Sequence, residues 1–258
     1  MIAKQLTFEY YSKKRVLNGI DFEAGEGINI VIGPNASGKS TILKCLAGIL
    51  KTKGSVFFEG NEINKCKDLH RKLSYLPQQI SANAALNVFE IMLLGNMEQL
   101  SWHIGEKNLE RVEKIMDEFN IRDLAQKRIS EISGGQLQEV FIAQALMKNP
   151  KYLLIDEPTN NLDLKNQLEI MEKIKQYTKK NQAKTIIVLH DLNLAIRYAD
   201  TLYLVKNGSV RACGLPEKIV SIAIIEEVWG IKTKIIKDDD GIAYIMPKAS
   251  CNASASDL

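Results

Sequence analysis

Apolar positions along the chain follow two periods, and the places where one gives way to the other mark the elements. Short strand-like runs come first: Gln5 to Tyr10, Ile20 to Glu23, and Ile28 to Ile32. The third, Ile-Asn-Ile-Val-Ile, is a continuous apolar strand that stops at Gly33. Beyond Lys39, residues Ile42, Leu43, Leu46, Ala47 and Leu50 fall at helical spacing, so the order is strand, glycine-rich loop, helix. Further strands are predicted at Gly54 to Phe58 and Leu73 to Leu76. From Leu86 to about Leu146 the period turns helical, carried by Val88, Ile91 and Met92, then Val112, Ile115, Met116 and Phe119, then Val140, Ile142, Ala143 and Leu146. Strand returns at Tyr152 to Ile155, helix at Leu164 to Tyr177, a buried strand at Thr185 to Leu189, and helix at Leu192 to Tyr198.

Strands and helices that alternate around a helical block predict an α/β core with an inserted helical subdomain, placed at about residues 84–148. After Asp200 come two short strands (Leu202 to Val205, Ser209 to Ala212), a helix near Pro216 to Val220, and a hairpin around Asp238-Asp239-Asp240-Gly241. Three aspartates invite a metal reading, but Asp-Gly at a strand end is a turn signal, and the turn is the expectation. Residues 1–248 read as one domain with a β/α extension over about 200–248. The small polar tail 249–258 is expected to fray.

Composition narrows the classes. At 45% hydrophobic and 25% charged residues the 258-residue chain is an ordinary globular mixture, able to build a sizeable core. A formal net charge of +3 is too small to argue for nucleic acid or a membrane surface. The cysteines Cys45, Cys66, Cys213 and Cys251 form no CxxC pair and show no metal-ligand spacing, so they read as free thiols of a reducing compartment. No signal-peptide pattern opens the chain, and no apolar run approaches the roughly 20 residues that span a bilayer. A soluble, cytoplasmic protein is expected.

The candidate chemistry is phosphate chemistry. Gly33-Pro34-Asn35-Ala36-Ser37-Gly38-Lys39-Ser40 fits GxxxxGK[ST] and sits between a strand and a helix, the context this motif requires. Such a loop wraps a polyphosphate with backbone N–H groups, and the following helix adds its positive end. Lys39 supplies a point charge for the β- and γ-phosphates, and the Ser40 hydroxyl is a candidate Mg²⁺ ligand. Asp156 ends the apolar strand Leu153-Leu154-Ile155, which projects a carboxylate from the sheet edge, and Glu157 follows it. Pro158 disfavours helix at Glu157 and keeps the pair in an extended turn. His190, with Asp191 next to it, also follows an apolar strand. Ser133-Gly134-Gly135-Gln136 repeats the phosphate-loop logic: a small hydroxyl and two glycines at a helix start.

Taken in order, Gly33 to Ser40, Gln78 after Leu76-Pro77, Ile132 to Gln136, Leu153 to Pro158, and His190 resemble the motifs of an ABC transporter ATP-binding subunit, over residues 2 to about 247. The resemblance implies the P-loop NTPase core of ABC ATPases, with an N-terminal antiparallel β-subdomain and a helical insert. It also implies ATP and Mg²⁺ as cofactors. Glu157 is then the general base that polarises the attacking water, and His190 the switch histidine at the γ-phosphate. Residues Gly33 to Ser40 with Thr41 bind the phosphates, and Ser40, Gln78 and Asp156 hold the metal. Gln78 is favoured over Gln79 because it directly follows Pro77. Tyr10 or Tyr11 matches the aromatic that stacks on adenine, and Tyr10 is favoured by its distance to Val16-Leu17. Ser133, Gly134, Gly135 and Gln136 match the signature, and Asp163, in Asn161-Leu162-Asp163, the D-loop. Two copies pack head to tail in this family, so that each signature closes the other's nucleotide. The implied partners are a second copy, a membrane permease and, indirectly, a substrate-binding protein, at the cytoplasmic face of the membrane.

Three departures from the family pattern stand out. Ala36 occupies a position that is often Gly, Ile132 replaces the Leu of LSGGQ, and Leu137 and Glu139 stand where basic residues are usual. The segment Leu86 to Gly95 looks like the family's surface beside the permease groove, though its apolar face could equally be subdomain core. Gly214 to Lys218, Val228 to Ile231 and Ile245 to Pro247 resemble importers for iron–siderophore, haem and cobalamin. An exporter ATPase, a soluble non-transport member and a non-hydrolysing regulatory subunit are the alternatives. The absence of a second cassette argues against the soluble members, and Glu157 with His190 against the regulatory subunit.

Overall fold

The computed structural model describes residues 1–10, 15–79, 85–95 and 105–250. Tyr11 and residues 251–258 lie outside the described residues, whereas Ala249 and Ser250, expected to fray with the tail, pair with Lys232 and Ile231 as the end of a strand. The chain divides into two compact units, one made of Met1–Cys66 with Lys184–Leu258 and the other of Lys67–Ala183.

The first unit opens with β1 (Ile2–Glu9), β2 (Arg15–Glu23), β3 (Gly27–Ile32), α1 (Lys39–Leu46), β4 (Lys53–Phe58) and β5 (Asn61–Glu62). Strands β2, β1, β4 and β5 pair in that order, antiparallel throughout. Ala3, Leu6, Leu17, Ile20, Phe22, Val56 and Phe58 are the buried residues of this sheet. β2 begins five residues before the predicted run. Its first half reads Arg-Val-Leu-Asn-Gly, a mixture with no clean alternation, and only pairing to β1 makes it a strand.

The second unit contains α2 (Leu69–Lys72), β6 (Leu73–Leu76), α3 (Val88–Leu94), α4 (Glu106–Phe119), α5 (Gly134–Leu146), β7 (Tyr152–Asp156) and α6 (Leu164–Asn181). β6 and β7 run parallel, from Leu73↔Tyr152 to Leu76↔Ile155. The helical stripes read from the sequence are the buried ones: Val112, Ile115, Met116 and Phe119 on α4, and Val140, Ile142, Ala143 and Leu146 on α5. Each of the larger ones, all but Ala143, contributes roughly 1.5–3 kcal/mol when fully buried. α3 starts on a capping box, Asn87 accepting from the Glu90 amide while Glu90 accepts from the Asn87 amide. It buries Val88, Ile91 and Met92 and turns Leu94 outward, so most of its apolar face is core. Glu139 also finds its explanation here. Its Oε1 lies 2.6 Å from Lys173 Nζ on α6, and Lys173 also donates to the Phe119 carbonyl at 2.7 Å.

The chain then returns to the first unit with β8 (Lys184–Leu189), α7 (Leu192–Tyr198), β9 (Thr201–Lys206), β10 (Ser209–Gly214), α8 (Pro216–Ile219), α9 (Ile222–Trp229), β11 (Ile231–Lys237) and β12 (Ala243–Ser250). β3 lies between β8 and β9, parallel to both, and β10 runs antiparallel to β9. Asn29, within β3, is fully buried and satisfied: it donates to the carbonyls of Gly25 (3.0 Å) and Thr185 (3.3 Å) and accepts from the Gly25 amide (2.8 Å). α9 had no prediction. Its sequence, Ile-Ala-Ile-Ile-Glu-Glu-Val-Trp, is too apolar to show a stripe, and Ser221 caps it. Between β11 and β12 the Asp238 carboxylate accepts from the amides of Asp240 (3.1 Å) and Ile242 (2.8 Å), so the aspartates form a turn. Among the described residues no group of three His, Cys, Asp or Glu side chains could hold a metal. The α/β class, with an antiparallel β-sheet at the N-terminus and helices inserted before β7, is as the alternation of periods predicts.

Cys45, Cys66 and Cys213 are free thiols. Cys45 is buried on α1, and that burial pushes its thiol up to about 12, whereas Cys213 is exposed. The expected outcome of maleimide labelling at neutral pH is rapid modification of Cys213 and none of Cys45 until the chain is unfolded. Equal labelling of both in the folded protein, read by peptide mass, would contradict this packing.

Candidate functional site

In the first unit, register sets the site. β3 and β8 are parallel and paired through Ile32↔Leu189. The next residues, Gly33 and His190, therefore leave neighbouring strands at the same sheet edge, where strands stand about 4.8 Å apart. The carboxyl ends of parallel strands are where open α/β sheets bind ligands. His190 is exposed there, and Asp191 serves the fold instead, its carboxylate capping α7 through the Leu194 amide at 2.9 Å.

The loop from Gly33 to Gly38 leads directly into α1. A Cβ at Gly33 would lie 1.9 Å from the Val205 carbonyl oxygen, so no side chain fits. Gly38 has φ 101, and a Cβ there would meet Leu17 at 2.8 Å. The β9–β10 turn braces the loop: the Gly208 amide donates to the Ser37 carbonyl at 3.0 Å, and the Asn18 amide to the Gly208 carbonyl at 2.8 Å. Gly38 supplies no side-chain cap to α1, which leaves the first helical amides for an anion. Lys39, only 5% exposed, folds back to donate to the carbonyls of Gly33 (2.9 Å) and Pro34 (3.1 Å). Among the described residues the buried Ser37 hydroxyl has no hydrogen-bond partner. A loop with no room for a Cβ at Gly33 or Gly38, an uncapped helix start, a cation and an orphaned hydroxyl together fit a polyphosphate. Ser40 and Thr41 follow on the first turn of α1, Thr41 buried.

Tyr10 directly follows β1. It is 43% exposed, packs edge-on against Phe8 at 4.8 Å, and lines an open cleft of about 560 Å³ with Thr7, Glu9, Leu50, Lys51 and Lys53. No residue of the phosphate loop lines this cleft, and Tyr11 lies outside the described residues.

The second unit repeats the register device. Leu76↔Ile155 pairs β6 with β7, so Gln78 and Glu157 are each the second residue past a matched pair. Asp156 is 2% and Glu157 6% exposed. The Gln78 amide donates to Glu157 Oε2 at 2.5 Å, and the Asn160 amide donates to the same oxygen. Glu157 has φ 55, left-handed where Pro158 predicted an extended turn, and is no helix cap; α6 starts later, at Leu164, capped by Asp163 through the Asn166 amide at 2.8 Å. Asp163 thus shapes the loop as well as ending it. Ser133 caps α5 reciprocally with Gln136, at 3.3 and 3.0 Å. Next to it Gly135 faces Asn166 and Leu162, where a Cβ would sit at 3.4–3.5 Å. Gly134 has open space around its Cα.

Sequence reasoning had not singled out Asn160, Gln167 or the Asn18–Gly208 brace. Gln167 pins the loop, donating to the carbonyls of Thr159 (3.3 Å) and Leu162 (3.1 Å). The one local signal for Asn160 was its place three residues after Glu157, the spacing of a turn.

The strand-loop-helix phosphate cradle of the first unit is the arrangement of a nucleotide-binding α/β protein. The ABC transporter family model matches residues 17–160. An uncharacterised ABC transporter ATP-binding protein of Methanocaldococcus jannaschii is 39% identical over 241 residues, covering 92% of this chain and 94% of that one. The petrobactin import ATP-binding protein of Bacillus subtilis is 30% identical over 239 residues, covering 91% and 95%. A solved metal-chelate type ABC transporter, in an inward-facing conformation, superposes with a TM-score of 0.81 over 96% of each chain at 22% identity, a likeness of fold. This chain belongs to the ABC transporter family. It is an ATP-binding subunit, an ATP hydrolase coupled to transport.

Ala36 holds φ 59, which costs a residue with a Cβ roughly 1–2 kcal/mol. Glycine removes that strain but returns about 0.4–1 kcal/mol through the unfolded chain. Ala36→Gly is therefore expected to stabilise by about 0.5 kcal/mol, seen as a higher denaturant midpoint at unchanged slope. A lowered midpoint would show that the methyl makes a contact worth more than the strain.

Proposed function

We propose that the chain is the ATPase subunit of an importer for a metal chelate such as an iron–siderophore, haem or cobalamin. Two copies act head to tail on a membrane permease, which an extracytoplasmic substrate-binding protein feeds. The observation that carries the reading is the pair of strand-end groups, the Gly33–Ser40 cradle with His190 and Gln78 with Asp156 and Glu157, in a chain similar along nearly its whole length to a petrobactin import ATP-binding protein. Among the described residues no helix is long and apolar enough to cross a membrane. By its likeness to import ATP-binding proteins, the subunit works from the cytoplasmic face as a peripheral partner of the permease, as one cassette domain over residues 1–248.

The roles are those the family resemblance implies, and the strand-end positions of Gln78, Glu157 and His190 support theirs. Amides of residues 33–41 bind the phosphates, and Lys39 leaves its loop carbonyls for the β- and γ-phosphates. Ser40, Asp156 and Gln78 would hold Mg²⁺, which supplies charge neutralisation for the phosphates, in keeping with a hard cation that takes few protein ligands. Glu157 accepts the proton of water as its oxygen bonds to the γ-phosphorus, while the bridging bond breaks and its electron pair leaves with ADP. His190 lies at the γ-phosphate and stabilises charge there. Ser133, Gly134, Gly135 and Gln136 of one copy, with Asp163, close the nucleotide of the other. Tyr10 stacks on the adenine.

Glu157→Gln is expected to lower kcat by about 10²-fold or more and to hold an ATP-loaded dimer on size exclusion. Wild-type turnover should rise faster than linearly with protein concentration. Near-wild-type hydrolysis by the variant would remove Glu157 as the base. Lys39→Ala is expected to weaken ATP binding roughly ten- to hundredfold, the scale of a lost charge-assisted contact; unchanged affinity by calorimetry would overturn the cradle assignment.

A further inference from the structure

We propose that Asn160 is a positioning residue for the base: its side-chain amide holds the Glu157 carboxylate in the orientation that receives the proton of water. The proposal rests on Glu157 being that base. Gln78 and Asn160 both donate to Glu157 Oε2, from opposite directions in sequence, one from the end of β6 and one from the loop after β7. The two donors differ in what else they are asked to do. Gln78 is assigned to the metal and so exchanges partners during the cycle. Asn160 has no such assignment, and its backbone is tied to the base. Its amide N–H donates to the Glu157 carbonyl at 3.4 Å.

The loop is built to keep Asn160 there. Thr159 is buried, 7% exposed. Gln167, on the first turns of α6, donates to the carbonyls on either side of the Asn160–Asn161 segment, at Thr159 and Leu162. Glu157 and Asn161 both take left-handed backbone, φ 55 and 59, which folds the chain back over the carboxylate. A nearly buried carboxylate needs hydrogen bonds to stay charged and aimed. Without the Asn160 donor its oxygens can rotate about χ3, a soft torsion, and the proton-accepting geometry is diluted.

Asn160 is exposed, so its replacement is tolerated by the fold. Asn160→Asp keeps the shape and removes the donor, and Asn160→Ala removes both. Both are expected to lower kcat about tenfold with the KM for ATP within twofold of wild type. In a Glu157→Gln background, Asn160→Ala is expected to lower the residual rate no further than twofold, because a residue that acts through the base has nothing left to act on. Rates are measured on the full chain with radiolabelled ATP at saturating concentration. Wild-type kcat for Asn160→Asp, or the full tenfold loss persisting in the Glu157→Gln background, overturns the proposal while leaving the base in place. A rise in KM at fixed kcat assigns Asn160 to nucleotide binding and overturns it equally. Near-wild-type turnover of Glu157→Gln alone would instead remove the base itself.

Discussion

Parallel strand register is the constraint on which the rest depends. Ile32 pairs with Leu189 and Leu76 with Ile155, and each match delivers two chemically unlike residues to one sheet edge. A slip of one residue would turn every side chain of a strand to the other face. β3, β7 and β8 are buried on both faces, so the cost falls at the strand ends, where a slip would draw His190 or Gln78 in among Ile32, Leu189, Leu76 and Ile155, all at most 5% exposed. The hydrophobic cost of that exchange protects the site without any functional residue taking part. The core therefore sets where the chemistry happens, and the loops beyond it supply the chemical groups.

The two charged residues of the proposed site, Lys39 and Glu157, are both nearly buried, and each rests on polar groups of its own chain. Lys39 donates to two carbonyls of the loop it belongs to, and Glu157 accepts from two side-chain amides. Burying a charge without partners is costly, so these contacts are a condition for keeping the groups in place. The glycines of the loop matter for the same reason, since the Val205 carbonyl and the Leu17 side chain occupy the space a Cβ at Gly33 or Gly38 would need.

Much of this was legible in the order of residues. The glycine-lysine-serine run, the Asp-Glu pair after an apolar strand and the Ser-Gly-Gly-Gln helix start are local signals, because each works through backbone within a few residues of itself. The helical stripe of α4 was legible because one face alone is apolar. α9 was not, since a nearly all-apolar helix shows no stripe, and neither was the first half of β2, whose strand state comes from β1. The apolar segment at Val88 to Leu94 could be read as docking face or core. Packing decides for core at Val88, Ile91 and Met92.

By itself, then, the sequence determined the class of fold, the nucleotide chemistry and the family, since these depend on residue type and short spacing. Tertiary structure alone decided which distant residues meet: Gly208 against Ser37, Lys173 against Glu139, and Gln78 with Asn160 on one oxygen of Glu157. Gln78 and Glu157 are 79 positions apart, and no local pattern encodes a hydrogen bond over that separation. It exists because β6 and β7 pair in one register, and that register is chosen by the burial of whole strands.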